Sequence, residues 1–136
     1  MPVITLTTDF GQQDGYAGIL KGVIWSIAPH VQIADITHDV PGCDIKFGAW
    51  VLNNSYKYFP AGSVHVAVVD PGVGSSRRPV ILVGPEHTFL GPDNGLFSDI
   101  LAAPNEWEVF VVLKDNLPAT SACCGFDQSP LVSIQR

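Results

Sequence analysis

The sequence predicts an α/β domain with a largely parallel central sheet flanked by helices. Three observations predict it. Short β-branched runs alternate with stretches of helical apolar spacing. One run, Ser63 to Val69, is almost continuously apolar, as a strand buried on both faces would be. Polar, glycine-bearing loops follow the runs, where strands of a parallel sheet would deliver the chain to one edge.

Val3 to Thr7 reads as the first strand and ends in the turn-like Thr8-Asp9-Phe10-Gly11. From Tyr16 to Ile27, the residues Ile19, Leu20, Val23, Ile24 and Ile27 share a helical face, and Pro29 stops that helix. Gln32 to Ile36 is a second strand, followed by a polar loop through His38, Asp39 and Pro41. A second helix starts at about Asp44, with Ile45, Ala49, Leu52 and Tyr56 on one face, and Pro60 and Gly62 close it. Pro79 to Val83, Thr88 to Leu90 and Val109 to Leu113 are further strands beyond Ser63 to Val69. From about Pro118 no period is visible, which divides the chain into a domain over 1–117 and an irregular tail over 118–136.

Composition narrows the function. Hydrophobic residues are 46% of 136, enough for a core, and charged residues only 15%, against about 25% in an average domain. Seven basic residues face 13 acidic ones, for a net charge of -6, which argues against a nucleic-acid partner because counterion release needs a basic face. No secretory leader and no apolar run of bilayer length is visible, so the expectation is no membrane partner and a cytoplasmic location. Cys43, Cys123 and Cys124 are odd in number and lack zinc-site spacing, so no metal is expected.

In open parallel sheets, ligands bind beyond the carboxyl ends of the strands. Three loops fall there: Thr8 to Gly11, Asp70-Pro71-Gly72-Val73-Gly74 with Arg77-Arg78, and Pro92-Asp93-Asn94-Gly95. The Asp9 carboxylate suits a vicinal ribose diol, and equally suits capping of the turn after it. Arg77 can fold back on Asp70, either as a pair that orients an attacking water or as an ordinary loop salt bridge. Asp93 and Asn94 read as a turn or as polar groups facing a ligand. His38 stands at the same edge as a candidate ligand contact or a loop anchor, whereas His65 reads as a satisfied sheet residue. Trp25, Trp50 and Trp107 read as core or interface residues.

In this order the motifs resemble a known family. They are Ile4-Thr5-Leu6-Thr7-Thr8-Asp9-Phe10-Gly11, Lys21-Gly22-Val23-Ile24, Asp35-Ile36-Thr37-His38, Phe59-Pro60-Ala61-Gly62-Ser63-Val64-His65, Val68-Val69-Asp70-Pro71-Gly72-Val73-Gly74 with Arg77-Arg78, and Gly91-Pro92-Asp93-Asn94-Gly95. Over about residues 2 to 113 the chain resembles the Rossmann-like N-terminal domain of the S-adenosyl-L-methionine hydroxide adenosyltransferases, relatives of fluorinase and chlorinase. The resemblance implies attack of water on the ribose 5′ carbon of S-adenosyl-L-methionine, giving adenosine and L-methionine without a further cofactor. It implies Asp9, with Phe10 beside it, as the ribose-binding position, and Asp70 and Arg77 as two of three water-activating residues. Asp93 and Asn94 match the family's substrate-side loop. The halogenating relatives lack the Asp at position 70, so its presence implies hydroxide as nucleophile.

The third water-activating residue of the family is a His in a Thr-Phe-His-Gly-like motif. Here that stretch reads Ser121-Ala122-Cys123-Cys124-Gly125-Phe126. The family's C-terminal β-barrel also has no counterpart, and the family's homotrimer places its site between one subunit's N-domain and a neighbour's barrel. The resemblance therefore implies a chain truncated or frame-shifted from about Pro118, with part of a site and impaired activity. A non-catalytic nucleoside-binding or oligomerisation module is the alternative. A calcium-dependent nucleoside hydrolase is disfavoured, because Asp9-Phe10-Gly11-Gln12-Gln13-Asp14 lacks the dense carboxylates a hard cation needs.

Overall fold

A computed structural model describes residues 3–72, 75–104, 106–114 and 131–135. Among them, seven strands form one mixed sheet in the order β2-β1-β3-β5-β4-β6-β7. The strands are β1 (Val3–Thr8), β2 (Gln32–Thr37), β3 (Ser63–Val68), β4 (Pro79–Val83), β5 (His87–Pro92), β6 (Glu108–Lys114) and β7 (Leu131–Gln135). The helices are α1 (Tyr16–Ile27), α2 (Ile45–Ser55) and the short α3 (Ser98–Leu101), with a 3-10 turn at Tyr56–Tyr58 after α2.

The sheet has two halves. β2, β1, β3 and β5 run parallel, as the alternation of strands and helices predicts. β4 lies antiparallel to both β5 and β6, and β7 antiparallel to β6. The reversal follows from chain length: only Gly84, Pro85 and Glu86 separate β4 from β5, too few for a parallel crossover. β5 thereby inserts between β3 and β4, and β4 starts at the edge where β3 ends. The candidate residues of the tail between Ser121 and Phe126, with Cys123 and Cys124, lie outside the described residues, as do Val73 and Gly74.

The core lies on one face. Ala49, Leu52 and Tyr56 from α2 and its following turn pack with Ala67, Val69, Leu82 and Phe89 from the sheet and with Leu96, Phe97 and Ile100 near α3. Asp44 caps α2, its carboxylate accepting from the Phe47 N–H (3.0 Å). Gly48 lets α2 approach the end of β3, since a Cβ there would come within 3.0 Å of Val69 Cγ2. Gly91 is more constrained: a Cβ there would sit 2.3 Å from the Ala67 carbonyl oxygen.

The reading of the third strand as buried on both faces needs correction. Ser63, His65 and Ala67 are buried, whereas Val64, Val66 and Val68 on the opposite face are only half-buried. Of the residues of helix α1 only Ala17 is buried, and Ile19, Trp25 and Ile27 are exposed. Trp50 is also exposed, while Trp107 packs against the core.

His65 is fully buried and satisfied, as its place in a strand predicts. Its Nδ1 shares a hydrogen bond with Thr5 Oγ1 (2.8 Å) and its Nε2 with His87 Nδ1 (3.2 Å), and its ring stacks on Phe89. Burial first, then the neighbouring His87, pull its pKa from 6.5 to about 4. Burial lowers His87 as well, against the opposing pull of Glu86.

The sign of the linkage follows. The unfolded chain takes up a proton near pH 6.5 that folded His65 refuses until about pH 4, so its contribution is present above that window and lost as pH falls through it. The full shift corresponds to at most about 3–4 kcal/mol. Urea denaturation between pH 7 and pH 4 is expected to show this loss, and His65→Gln is expected to flatten it; an unchanged pH slope in a folded His65→Gln variant would contradict the assignment.

Candidate functional site

Because β1, β2, β3 and β5 are parallel, their carboxyl ends deliver Asp9, His38, Asp70 and Asp93 to one edge of the sheet. The antiparallel β4 begins at that edge and brings Arg77 and Arg78 to it. The structure thus assembles all three sequence-predicted loops.

Asp9 leaves β1 with its N–H directed at the Val68 carbonyl (3.4 Å), which ties the first loop to the end of β3. Its Oδ2 accepts the Cys43 N–H (3.1 Å). Cys43 has φ 63, a left-handed conformation that is uncommon outside glycine. Phe10 is half-buried and sets its ring edgewise to Tyr16, with centroids 6.3 Å apart.

Asp70 and Arg77 form a two-pronged ion pair, Nη1 facing Oδ1 and Nη2 facing Oδ2. The Asp70 side chain is 5% exposed and that of Arg77 20%. The Gly72 N–H also donates to Asp70 Oδ1 (2.9 Å). A carboxylate has about four lone-pair positions, of which Arg77 takes two and Gly72 one. Among the described residues, the position left over is on Oδ2. Burial lowers the Arg77 pKa from its ordinary value, yet a guanidinium so far above neutrality stays charged.

The two residues of the third loop part company. Asp93 is exposed, 3.5 Å from Arg78 Nη2, and its N–H donates to the Arg78 carbonyl (2.9 Å). Asn94 turns inward. Its Nδ2 donates to the Val69 carbonyl (2.9 Å) and its Oδ1 accepts the Leu96 N–H (3.2 Å). Its amide therefore fixes the peptide just before Asp70.

Sequence reasoning missed one contributor, Cys43, and left His38 open between a ligand contact and a loop anchor. Cys43 contributes a backbone N–H, and a non-glycine left-handed residue leaves no side-chain pattern to read. His38 proves wholly enclosed, bonded through Nδ1 to Thr8 Oγ1 (2.8 Å), and its carbonyl accepts the Gly11 N–H (2.7 Å). A cavity of about 260 Å³ lies elsewhere, lined by Tyr56, Lys57, Pro85, Glu86, His87 and Trp107, none of them in the three loops. Among the described residues, no group of three or more His, Cys, Asp or Glu could hold a metal ion.

A parallel α/β edge with a carboxylate after its first strand and a carboxylate–guanidinium pair after its third belongs to the class of small-molecule sites at strand carboxyl ends. Residues 4–125 match the model of the SAM hydroxide adenosyltransferase N-terminal domain, and the chain belongs to that family. It is 46% identical over 102 residues to an (R)-S-adenosyl-L-methionine hydrolase of Salinispora arenicola, covering 75% of this chain and 39% of that protein. A protein of the same name from Methanocaldococcus jannaschii is 46% identical over 103 residues, covering 72% and 39%. The fold matches the crystal structure of an uncharacterized conserved protein from Thermotoga maritima, with a TM-score of 0.79 and 32% identity over 84% of this chain and 44% of that one. The chain thus spans about two fifths of the length of the curated relatives it matches.

The Asn94 anchor is testable. Asn94→Ala leaves the Val69 carbonyl without its side-chain donor and is expected to cost about 1–2 kcal/mol in urea denaturation. Wild-type stability in that variant would show that the amide does not hold the Asp70 loop.

Proposed function

We propose that this chain provides the nucleophile-activating side of a site that hydrolyses S-adenosyl-L-methionine to adenosine and L-methionine. The observation that carries the reading is the Asp70–Arg77 pair, largely withdrawn from water at the edge that also bears Asp9, with one lone-pair position of Asp70 Oδ2 left over among the described residues. Asp9 takes the ribose diol, with Phe10 against the nucleoside. Asp93 lies on the substrate side of the edge, and Asn94 acts by fixing the loop that bears Asp70.

The chemistry asks little of the protein beyond alignment. A water oxygen forms a bond to the 5′ carbon as the carbon–sulfur bond breaks, the bonding pair passes to sulfur, and a neutral thioether leaves. A sulfonium needs no protonation to depart, so in-line placement of the water supplies most of the catalysis. Asp70, held ionised by Arg77, accepts a hydrogen bond from that water and orients it. A carboxylate is a weak base, so the water's proton passes on to solvent. The carboxylates also suit a cationic substrate. No cofactor takes part in this scheme.

Longer relatives are named (R)-S-adenosyl-L-methionine hydrolase, which supports the reading. In the whole protein, a homotrimer would complete the site with residues of a neighbouring subunit, and the metabolite substrate is consistent with a cytoplasmic location. No helix among the described residues is long and apolar enough to cross a membrane.

The test is incubation of the purified chain with S-adenosyl-L-methionine, with adenosine and methionine followed by chromatography. Turnover by this chain is expected to be impaired, to release both products in equal amounts, and to fall by about 10²-fold or more in Asp70→Ala. Release of adenine, or unchanged turnover in a folded Asp70→Ala variant, would overturn the reading. A folded wild-type chain that binds the nucleoside without turnover would instead be the non-catalytic module.

A further inference from the structure

One enclosed histidine at the site edge remains without a role in this scheme. His38 is 1% exposed, and its ring joins elements that are distant in sequence. On one side, Nδ1 meets Thr8 Oγ1 (2.8 Å), and the same oxygen accepts the Phe10 N–H (3.2 Å). On the other side, Nε2 lies 3.2 Å from Asp35 Oδ1, outside hydrogen-bond alignment, and Asp35 in turn pairs with Lys21 of α1. The backbone repeats the connection, with the Gly11 N–H on the His38 carbonyl (2.7 Å) and the Val40 N–H on the Thr8 carbonyl (3.2 Å). Asp9 sits in the middle of the segment these bonds clamp.

The directions of the bonds are mutually consistent. Asp35 is held below the ordinary carboxylate range: burial pushes it up, and Lys21 and His38 outweigh that. A carboxylate facing Nε2 favours the proton on that nitrogen. Nδ1 is then a lone pair and accepts the Thr8 O–H. The Thr8 oxygen keeps a lone pair for the Phe10 N–H. From His38 through Thr8 to Phe10 every group has one orientation that suits its neighbours, while Asp35 acts on Nε2 by proximity of charge, without an aligned hydrogen bond.

We propose that His38 is a positioning residue for Asp9, fixing through Thr8 and Phe10 the turn that presents the Asp9 carboxylate to a vicinal diol. This rests on the reading of Asp9 as the ribose contact. His38 touches no substrate. It removes the freedom of the Thr8 to Gly11 turn, so that a carboxylate already drawn toward the Cys43 N–H keeps one aim. The ligand class it selects is a nucleoside with free 2′ and 3′ hydroxyls.

The test compares adenosine with 2′,3′-dideoxyadenosine by calorimetry, using the full chain as wild type, His38→Leu, His38→Asn, Asp9→Ala and the Asp9→Ala/His38→Leu double variant. The wild type is expected to favour adenosine by about 10–100-fold, the range for hydrogen bonds to a charged group. His38→Leu is expected to reduce that preference to about threefold or less. His38→Asn, which can still accept from Thr8, is expected to restore most of it. The double variant is expected to discriminate no worse than Asp9→Ala alone, because both changes remove one interaction. A wild type that binds neither nucleoside, or both alike, overturns the reading of Asp9. A wild type that prefers the diol, with the preference intact in folded His38→Leu, overturns the role of His38 alone. Should His38→Leu fail to fold, Thr8→Val breaks the same link and is judged by the same outcomes.

Discussion

The constraint behind the site is the common direction of four strands. With β1, β2, β3 and β5 parallel, every exit from those strands falls on one edge, and the polar loops have nowhere else to go. The reversed β4 adds what the parallel strands cannot. It starts at that edge, so the guanidinium of Arg77 arrives beside the carboxylate that β3 delivers. A parallel β4 would begin at the far edge and leave Asp70 without its cation. The short β4–β5 connection is therefore as important to the chemistry as the residues themselves.

Burial decides which charges matter. Asp70 and Arg77 are largely withdrawn from water, and removing one would strand the other, which is the costly way to break a buried pair. Arg78 and Asp93 are exposed and 3.5 Å apart, so water screens them and their pairing adds little. The buried histidines follow a parallel rule. His65 and His38 each share a hydrogen bond with a threonine of β1, at 2.8 Å in both cases, so the first strand is both a structural member and the polar partner of two neighbours. One of these serves the core and the other serves the loop that carries Asp9.

Much of this was legible in the sequence. Helix α1 falls where the spacing of Ile19, Leu20, Val23 and Ile24 puts it, and the strands begin or end within a few residues of their β-branched runs. The loops bearing Asp9, Asp70 and Asp93 could be assigned to one edge because the order of strands and helices implies a parallel sheet. The reversal of β4 against β5 could have been read from the short Gly84-Pro85-Glu86 connection, whereas the pairing of β4 with β6 and of β6 with β7 could not, since a strand's neighbours are set by tertiary contacts. α3 has only four residues, too few to show a period. The exposure of Trp25 and Trp50 and the half-covered face of β3 depend on what packs over them, which hydropathy does not record. The role of Asn94 was open between a turn and a ligand contact, and only its reach to the Val69 carbonyl shows where its amide is engaged.

The most direct test of the account is a crystal structure of the chain with adenosine bound. The account expects the ribose hydroxyls on the Asp9 carboxylate and the 5′ oxygen turned toward Asp70 and Arg77. Adenosine in the cavity beside His87 and Trp107, with the edge of Asp9 and Asp70 left without it, would contradict the account.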